Sequence, residues 1–243
     1  MSEDINNFLR ESPPASSPQT VSVIIPVFNE RSLVGTTIAR VRQCGIPCQI
    51  VVVDDGSTDG TGEALRQEAG ITLLEHDRNR GKGASIRTAL KHVTGDIIII
   101  QDADLEYDPQ EYPKLLAPVR EGKADVVYGT RFGGEGPHRV LFFWHMLGNR
   151  LLTFLSNMLT NLNLNDMETG MKVFTRPVAE RLTIREDRFG FEPEFTARVG
   201  RMGVRIYEVG ISYTGRTYSE GKKVSWKDGI SALRCILRYT IFG

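Results

Sequence analysis

Three cysteines, Cys44, Cys48 and Cys235, are all the thiols in 243 residues. An odd count without a Cys-x-x-Cys pair gives neither a disulfide framework nor zinc-ligand spacing, so all three read as reduced thiols. Charge of either sign is not in excess, because 30 Lys and Arg meet 30 Asp and Glu. With no net field to draw the chain to polyanions, nucleic acid is not an expected partner, and any affinity for anions must be local. No apolar run reaches the roughly 20 residues that a membrane-spanning helix needs. The nearest candidate, Val140 to Leu162, is interrupted by His145, Asn149 and Arg150. Residues 1–19 are rich in Ser, Pro, Glu and Asn and lack the apolar segment of an export signal, so they read as a disordered tail on a cytoplasmic protein. No internal repeat is present, and neither is the Gly-x-x-x-x-Gly-Lys-Ser/Thr spacing of a P-loop, which disfavours ATP hydrolysis of that type.

What is present is enough apolar residue, 40%, for one substantial core over residues 20–243. Val21 to Pro26 reads as a strand, and Ser32 as the cap of a helix running to Cys44. The alternation continues with a strand at Gln49–Val53, a helix at Gly60–Ala69, a strand at Ile71–Glu75, a helix at Ala84–Val93 and a strand at Asp96–Ile100. A helix from about Gln110 to Glu121 and a strand at Asp125–Tyr128 complete a regular half. This pattern predicts an α/β fold with a mostly parallel central sheet and helices on both faces. The second half reads as a helical region from Arg139 to about Asn161, a strand at Lys172–Phe174, a helix near Pro193–Met202, a strand from Val204 to Tyr213, a mobile basic loop over Gly215–Gly229 and a helix from Ile230 to Phe242. The apolar stripe of Val140 to Trp144 and Leu151 to Leu162 reads as core packing, with lipid contact the alternative and Arg139 and Arg150 then near headgroups.

In parallel sheets of this kind ligands sit beyond the carboxyl ends of the strands, and both acidic clusters fall there. Asp102-Ala103-Asp104 follows the Ile97–Ile100 strand. Strand residues two apart share a face, so the two carboxylates aim at one point, a hard oxygen pair suited to Mg²⁺ or Mn²⁺ on a diphosphate. Asp54-Asp55 ends another strand, where Asp55 can accept from a ribose or a base N–H, while Asp54 and Asp59 are accounted for as turn and helix caps. Gly81-Lys82-Gly83 before a helix can present backbone N–H groups and one cation to a nucleotide, or serve only as a turn.

Pro26-Val27-Phe28-Asn29-Glu30, Val53 to Asp59, Asn79 to Gly83, Asp102-Ala103-Asp104 and Gly129-Thr130-Arg131 occur in the order found in family 2 glycosyltransferases of the GT-A fold. Over residues 20–243 the chain resembles most the polyprenyl-phosphate (dolichol-phosphate) mannosyl- and glucosyltransferase branch. The resemblance implies that Pro26, Phe28, Glu30 and Asp55 hold the nucleoside, and that Asp102, Asp104 and Glu106 hold a divalent cation on the diphosphate. A glutamine is common where Glu106 stands. Arg131, Arg139 and Arg216 lie in segments where the resembling enzymes hold the acceptor phosphate and the donor diphosphate, and Lys222 or Lys223 lies on a loop suited to folding over that diphosphate. Asp166-Met167-Glu168-Thr169-Gly170 resembles a motif of these enzymes but departs from its commoner Asp-Pro-x-Ser-Gly form.

Releasing a nucleoside diphosphate from a sugar develops charge that a metal stabilises as a Lewis acid. A phosphate acceptor is already ionised near neutral pH and needs arginines more than a base, whereas a hydroxyl acceptor needs a positioned carboxylate. The expected reaction is metal-dependent transfer of a hexose from a UDP- or GDP-sugar to a polyprenyl phosphate on the cytoplasmic face of a membrane, with inversion as the resemblance implies. The protein reads as cytoplasmic, with peripheral membrane contact the alternative. The alternatives are transfer to a hydroxyl of a saccharide or small metabolite, with Glu192 or Glu194 as base, and a nucleotide-sugar-binding component of a membrane complex without turnover.

Overall fold

The computed structural model describes residues 19–133, 139–140, 142–217 and 226–242. Residues 1–18 of the tail expected over 1–19, the glycine-rich stretch 134–136 and most of the expected basic loop, with Lys222 and Lys223, lie outside the described residues. The first half alternates as its sequence predicts: β1 (Val21–Val27), α1 (Val34–Gln43), β2 (Cys48–Asp54), α2 (Thr61–Arg66), β3 (Thr72–Glu75), α3 (Lys82–Ala89), β4 (Ile97–Ile100), α4 (Tyr112–Arg120) and β5 (Val126–Thr130). The second half holds α5 (Phe143–Thr160), β6 (Lys172–Thr175), α6 (Arg176–Arg181), α7 (Phe191–Arg201), β7 (Ile206–Gly210) and α8 (Trp226–Ile241). The seven strands form one sheet in the order β3-β2-β1-β4-β6-β5-β7.

All neighbouring pairs are parallel except those of β6, which runs antiparallel to both β4 and β5. Both faces are covered, and the strands show it residue by residue. Val23, Ile25, Ile50, Val52, Ile97, Ile99, Val127 and Val173 face the layer of α1, α2 and α4. The alternate residues Ile24, Val51, Val53, Ile98, Ile100, Val126, Tyr128 and Phe174 face α3, α6, α7 and α8. A strand buried on both faces has no polar positions to alternate, which is why its sequence reads as a continuous β-branched run.

Several boundaries differ from the sequence reading. Ser32 does not cap α1; Leu33 precedes the helix without a side-chain cap, and the Leu33 and Val34 N–H groups close a turn on the Glu30 carbonyl. Helix α2 is shorter than expected, α3 begins two residues earlier at Lys82, α7 begins at Phe191, and α6 went unpredicted, although Pro177 in its first turn is a start signal.

The larger difference is α5, whose apolar residues divide: Leu152 and Leu159, with Leu162 just beyond the helix, pack against the core as expected, while the rest of the stripe faces outward. Its buried residues are Thr153 and Ser156, while Trp144 is 77% and Phe154 63% exposed, with Phe143, Leu147, Leu151 and Met158 on the same outer side. The inner side also carries polar groups that hydrogen-bond a loop: Asn157 brackets the Leu164 backbone, Thr153 Oγ1 accepts from Met167 N and Asn149 Nδ2 donates to Asp166. Helix α8 packs beside it and exposes Ile230, Leu233, Leu237 and Ile241. No helix among the described residues is long and apolar enough to cross a membrane.

Phe174 lies fully buried on β6 against Phe195 of α7, their ring centroids 5.4 Å apart. Phe174→Ala is expected to lower the unfolding free energy by about 3–5 kcal/mol in urea titration.

Candidate functional site

Because β1, β2, β4 and β5 are parallel, their carboxyl ends open on one edge, and the segments after them supply Phe28–Glu30, Asp55, Asp102–Glu106 and Arg131. The reversed strand β6 begins at that same edge, so the loop ahead of it brings Asp166, Glu168 and Gly170 there as well. Pairing of Lys172 with both Ile100 and Tyr128 sets the register.

The Asp102–Tyr107 segment is held from beneath by buried Gln101, whose amide nitrogen donates to the carbonyls of Asp102 and Tyr107 and whose oxygen accepts from Tyr112. Ala103 points into the core, its carbonyl accepting from the Thr37 hydroxyl at 2.9 Å. Asp102 and Asp104 remain facing the site. Lys82 Nζ lies 2.7 Å from Asp102 Oδ1 and 2.9 Å from Glu192 Oε1. Burial opposes the charge on Lys82, and the two carboxylates outweigh it, holding its pKa above the ordinary lysine range. Arg216 Nη2 lies 3.2 Å from Asp104 Oδ2 and 3.2 Å from Glu30 Oε1. Burial, then the charges of Asp102 and Glu106, push Asp104 upward, with Arg216 opposing.

Glu106 is differently engaged: Oε2 accepts from the Tyr213 hydroxyl at 2.6 Å and Oε1 from Arg216 N at 2.8 Å. It fixes the segment carrying Arg216 and does not complete a triad; no group of three or more His, Cys, Asp or Glu side chains among the described residues is arranged as metal ligands. Two crowded carboxylates nonetheless fit Mg²⁺ or Mn²⁺, which take one or two protein carboxylates and fill the remaining positions with phosphate oxygens and water.

Several predicted site residues are spent on the chain itself. Asp55 accepts from His76 Nδ1 and Arg80 N on one oxygen and from Gly81 N on the other, so it shapes the loop before α3. Asp54 accepts from Ser57 N, and Asp59 from Thr61 and Arg31, as turn and helix caps. Gly83 is required by packing, since a Cβ there would collide with the Glu186 carbonyl, and the next N–H, that of Ala84, goes to Asp187 O. Pro26 and Phe28 are half-buried at the end of β1, and Glu30 is buried against Arg216.

Arg131 is locked by Asp166 through Nε at 2.6 Å and Nη2 at 2.7 Å, beneath the ring of Tyr213. This fork is structural, and Asp166 was the partner that spacing did not reveal. Burial disfavours the Asp166 carboxylate and Arg131 more than compensates, lowering its pKa. Arg139 donates to Gly215 O, next to Arg216. Glu194 is consumed by Arg185 N, Glu186 N and Arg198, which removes it as a base. Beside the Arg131 strand end, a cavity of about 270 Å³ is lined by Phe132, Arg150, Thr153, Phe154, Leu164 and Asn165.

The sequence profile described as glycosyl transferase family 2 matches residues 22–183, which include β1 to β6 and the acidic centre. The chain belongs to that family. Within it, the chain is 35% identical over 222 residues to the low-salt glycan biosynthesis hexosyltransferase Agl6 of Haloferax volcanii, matching 90% of this chain and 53% of that one. The chain thus spans about half the length of Agl6. It is 28% identical over 227 residues to the uncharacterized protein MJ1222 of Methanocaldococcus jannaschii, covering 91% and 93% of the two. Crystalline glucosyl-3-phosphoglycerate synthase from Mycobacterium tuberculosis, in complex with Mn²⁺, UDP and glucosyl-3-phosphoglycerate, superposes with a TM-score of 0.73 at 19% identity, over 93% of this chain and 81% of that one. The shared architecture is the GT-A fold of family 2 enzymes.

Replacing Arg131 by Met strands the buried Asp166 charge and is expected to cost about 3–5 kcal/mol at neutral pH by urea unfolding. Asp166 has a lowered folded-state pKa, so its contribution is complete above the unfolded value near 4 and lost as pH falls through the folded one. The gap between wild type and Arg131→Met should therefore narrow below about pH 4.

Proposed function

We propose that the chain transfers a hexose from a nucleoside diphosphate sugar to a polyprenyl phosphate, with Mg²⁺ or Mn²⁺ on the diphosphate held by Asp102 and Asp104. The observation that carries this reading is the pair of strand-end carboxylates, each matched by its own mobile-length cation, Lys82 on one and Arg216 on the other. Family membership and the nucleotide complexes of the synthase support the donor class. A divalent cation at that point supplies Lewis-acid stabilisation of the departing diphosphate.

The chain's own residues do the rest. Lys82 and Arg216 bring two more positive charges to the same edge, and the Arg216 fork suits phosphate oxygens. Gln101 holds the Asp102 backbone, and Gly170 leaves room for its carboxylate, since a Cβ at Gly170 would overlap Asp102 Oδ2. An acceptor phosphate oxygen, ionised near neutral pH, attacks the anomeric carbon directly, inverts it and needs no protein base. This accords with Glu194 being consumed and Glu192 being tied to Lys82.

The outer faces of α5 and α8 support a lipid acceptor. Helix α5 reaches the site through Asn149 and Asp166, and the cavity beside it combines Arg150 with Phe132, Phe154 and Leu164, a cation next to an apolar wall. Peripheral contact of this apolar face with a membrane would bring a polyprenyl chain to that cavity.

Purified protein with Mn²⁺ or Mg²⁺, a panel of UDP- and GDP-hexoses and a polyprenyl phosphate should give lipid heavier by one hexose in mass spectrometry. Transfer to 3-phosphoglycerate and not to lipid would overturn the acceptor. Asp102→Asn and Asp104→Asn are each expected to lower transfer about 100-fold or more. Trp144→Ser with Leu147→Ser is expected to lower transfer to long-chain polyprenyl phosphate in vesicles roughly 10-fold or more, judged from the apolar area withdrawn, while sparing a water-soluble short-chain isoprenyl phosphate.

A further inference from the structure

Two buried carboxylate oxygens have no hydrogen-bond partner, Glu168 Oε1 and Glu192 Oε2. Among the described residues only Arg216 Nε shares that condition, so every such atom falls at the strand-end site. A buried acceptor left without a donor costs about 1–3 kcal/mol, more when charged, and needs a specific account. Neither the proposed metal nor the proposed phosphate acceptor provides one, because both are served by other groups.

The two carboxyl groups come from different elements, Glu192 sharing Lys82 with Asp102 and Glu168 lying on the loop that leads to Gly170. Glu192 is 4% exposed in the first turn of α7, and its other oxygen shares Lys82 Nζ with Asp102. Glu168 stands two residues ahead of Gly170, whose α-carbon abuts the Asp102 carboxylate. Burial, and then the charge of Glu192, push the pKa of the Glu168 carboxyl up to about 8. Beneath them, fully buried Lys172 directs its ammonium to the carbonyls of Met167 and Thr169, with the rings of Tyr128 and Phe195 at 5.1 and 5.9 Å.

We propose that Glu168 and Glu192 accept hydrogen bonds from two hydroxyls of the donor hexose and thereby read which hexose the nucleotide carries. This rests on the nucleotide-sugar reading: a diphosphate at Asp102 and Asp104 places its attached sugar next to these two acceptors. A hexose hydroxyl supplies the missing donor, whereas an epimer that turns one hydroxyl away leaves a carboxylate oxygen buried and unpaired. Such discrimination is stronger than an apolar wall provides. Glu168 and Glu192 are then specificity residues, and the phosphate acceptor relieves Glu192 of any role as base.

The test is equilibrium binding in Mn²⁺ of UDP and UDP-glucose, and of GDP and GDP-mannose, to wild type, Glu168→Gln and Glu192→Gln, with thermal melting to verify folding. Each variant should bind UDP or GDP within about twofold of wild type and the matching sugar nucleotide about 10-fold or more weakly. Monodeoxy analogues of the preferred donor, tested on wild type, should lose affinity at one or two ring positions, and Glu168→Gln should remove the penalty at one of them. This series stands even if a variant does not fold. Equal weakening of UDP and UDP-glucose, unchanged sugar-nucleotide binding in both variants, or a flat deoxy series overturns the inference while leaving the nucleotide-sugar reading intact. Failure of wild type to bind any of the four nucleotides overturns both.

Discussion

A carboxylate taken out of water costs several kcal/mol unless a cation or a set of donors meets it, and this chain gathers eight acidic side chains at one edge of its sheet. The way each is met decides what it does. Asp55 and Asp166 are met by backbone N–H groups and side chains of the protein, and they hold the loops of the site in place. Glu106 is spent on positioning the strap that carries Arg216. Glu30, Asp102 and Asp104 are met chiefly by Lys82 and Arg216, long side chains that can exchange one set of anions for another. Glu168 and Glu192 are met incompletely. Charge neutralisation thus sorts chemically similar residues into fixed and exchangeable groups, and the exchangeable ones face the centre.

Much of the first half was legible because its local signals agree with its tertiary role. Four β-branched runs buried on both faces, separated by helices with recognisable ends, dictate a parallel sheet, and the parallel sheet dictates which acidic residues share an edge. Asp102 and Asp104 were found by that logic. Arg131 and Asp55 fall at the same edge but are engaged by partners 35 and 21 residues away, Asp166 and His76, and pairwise capture across that distance leaves no periodic trace. The Asp166-to-Gly170 motif was visible, but its meeting with Asp102 depends on β6 running backwards, which a four-residue strand does not announce.

Helix α5 shows a different kind of failure. Its amphipathic pattern is plain, and the usual inference sends the apolar side inward. Here Asn149, Thr153 and Asn157 hydrogen-bond the loop that positions Asp166 and Met167, so these polar groups share the inner side with Leu152 and Leu159 while the larger apolar side chains face out. Periodicity identifies a helix and its two faces; only the hydrogen-bonding needs of the neighbouring loop say which face it turns to the protein.

The reversed strand also sets the order in which the molecule can be assembled. In a chain made from its N-terminus, β1 to β4 can pair as soon as they emerge, but β5 has no place beside β4, because β6 occupies it. Some seventy residues of nascent chain must follow Ile100 before Lys172–Thr175 arrive to cover that edge. Until then the ribosome-bound intermediate presents an all-isoleucine strand with an unpaired backbone, a template for aggregation. The strand that brings the second half to the active edge is therefore also the one that closes the open backbone of β4.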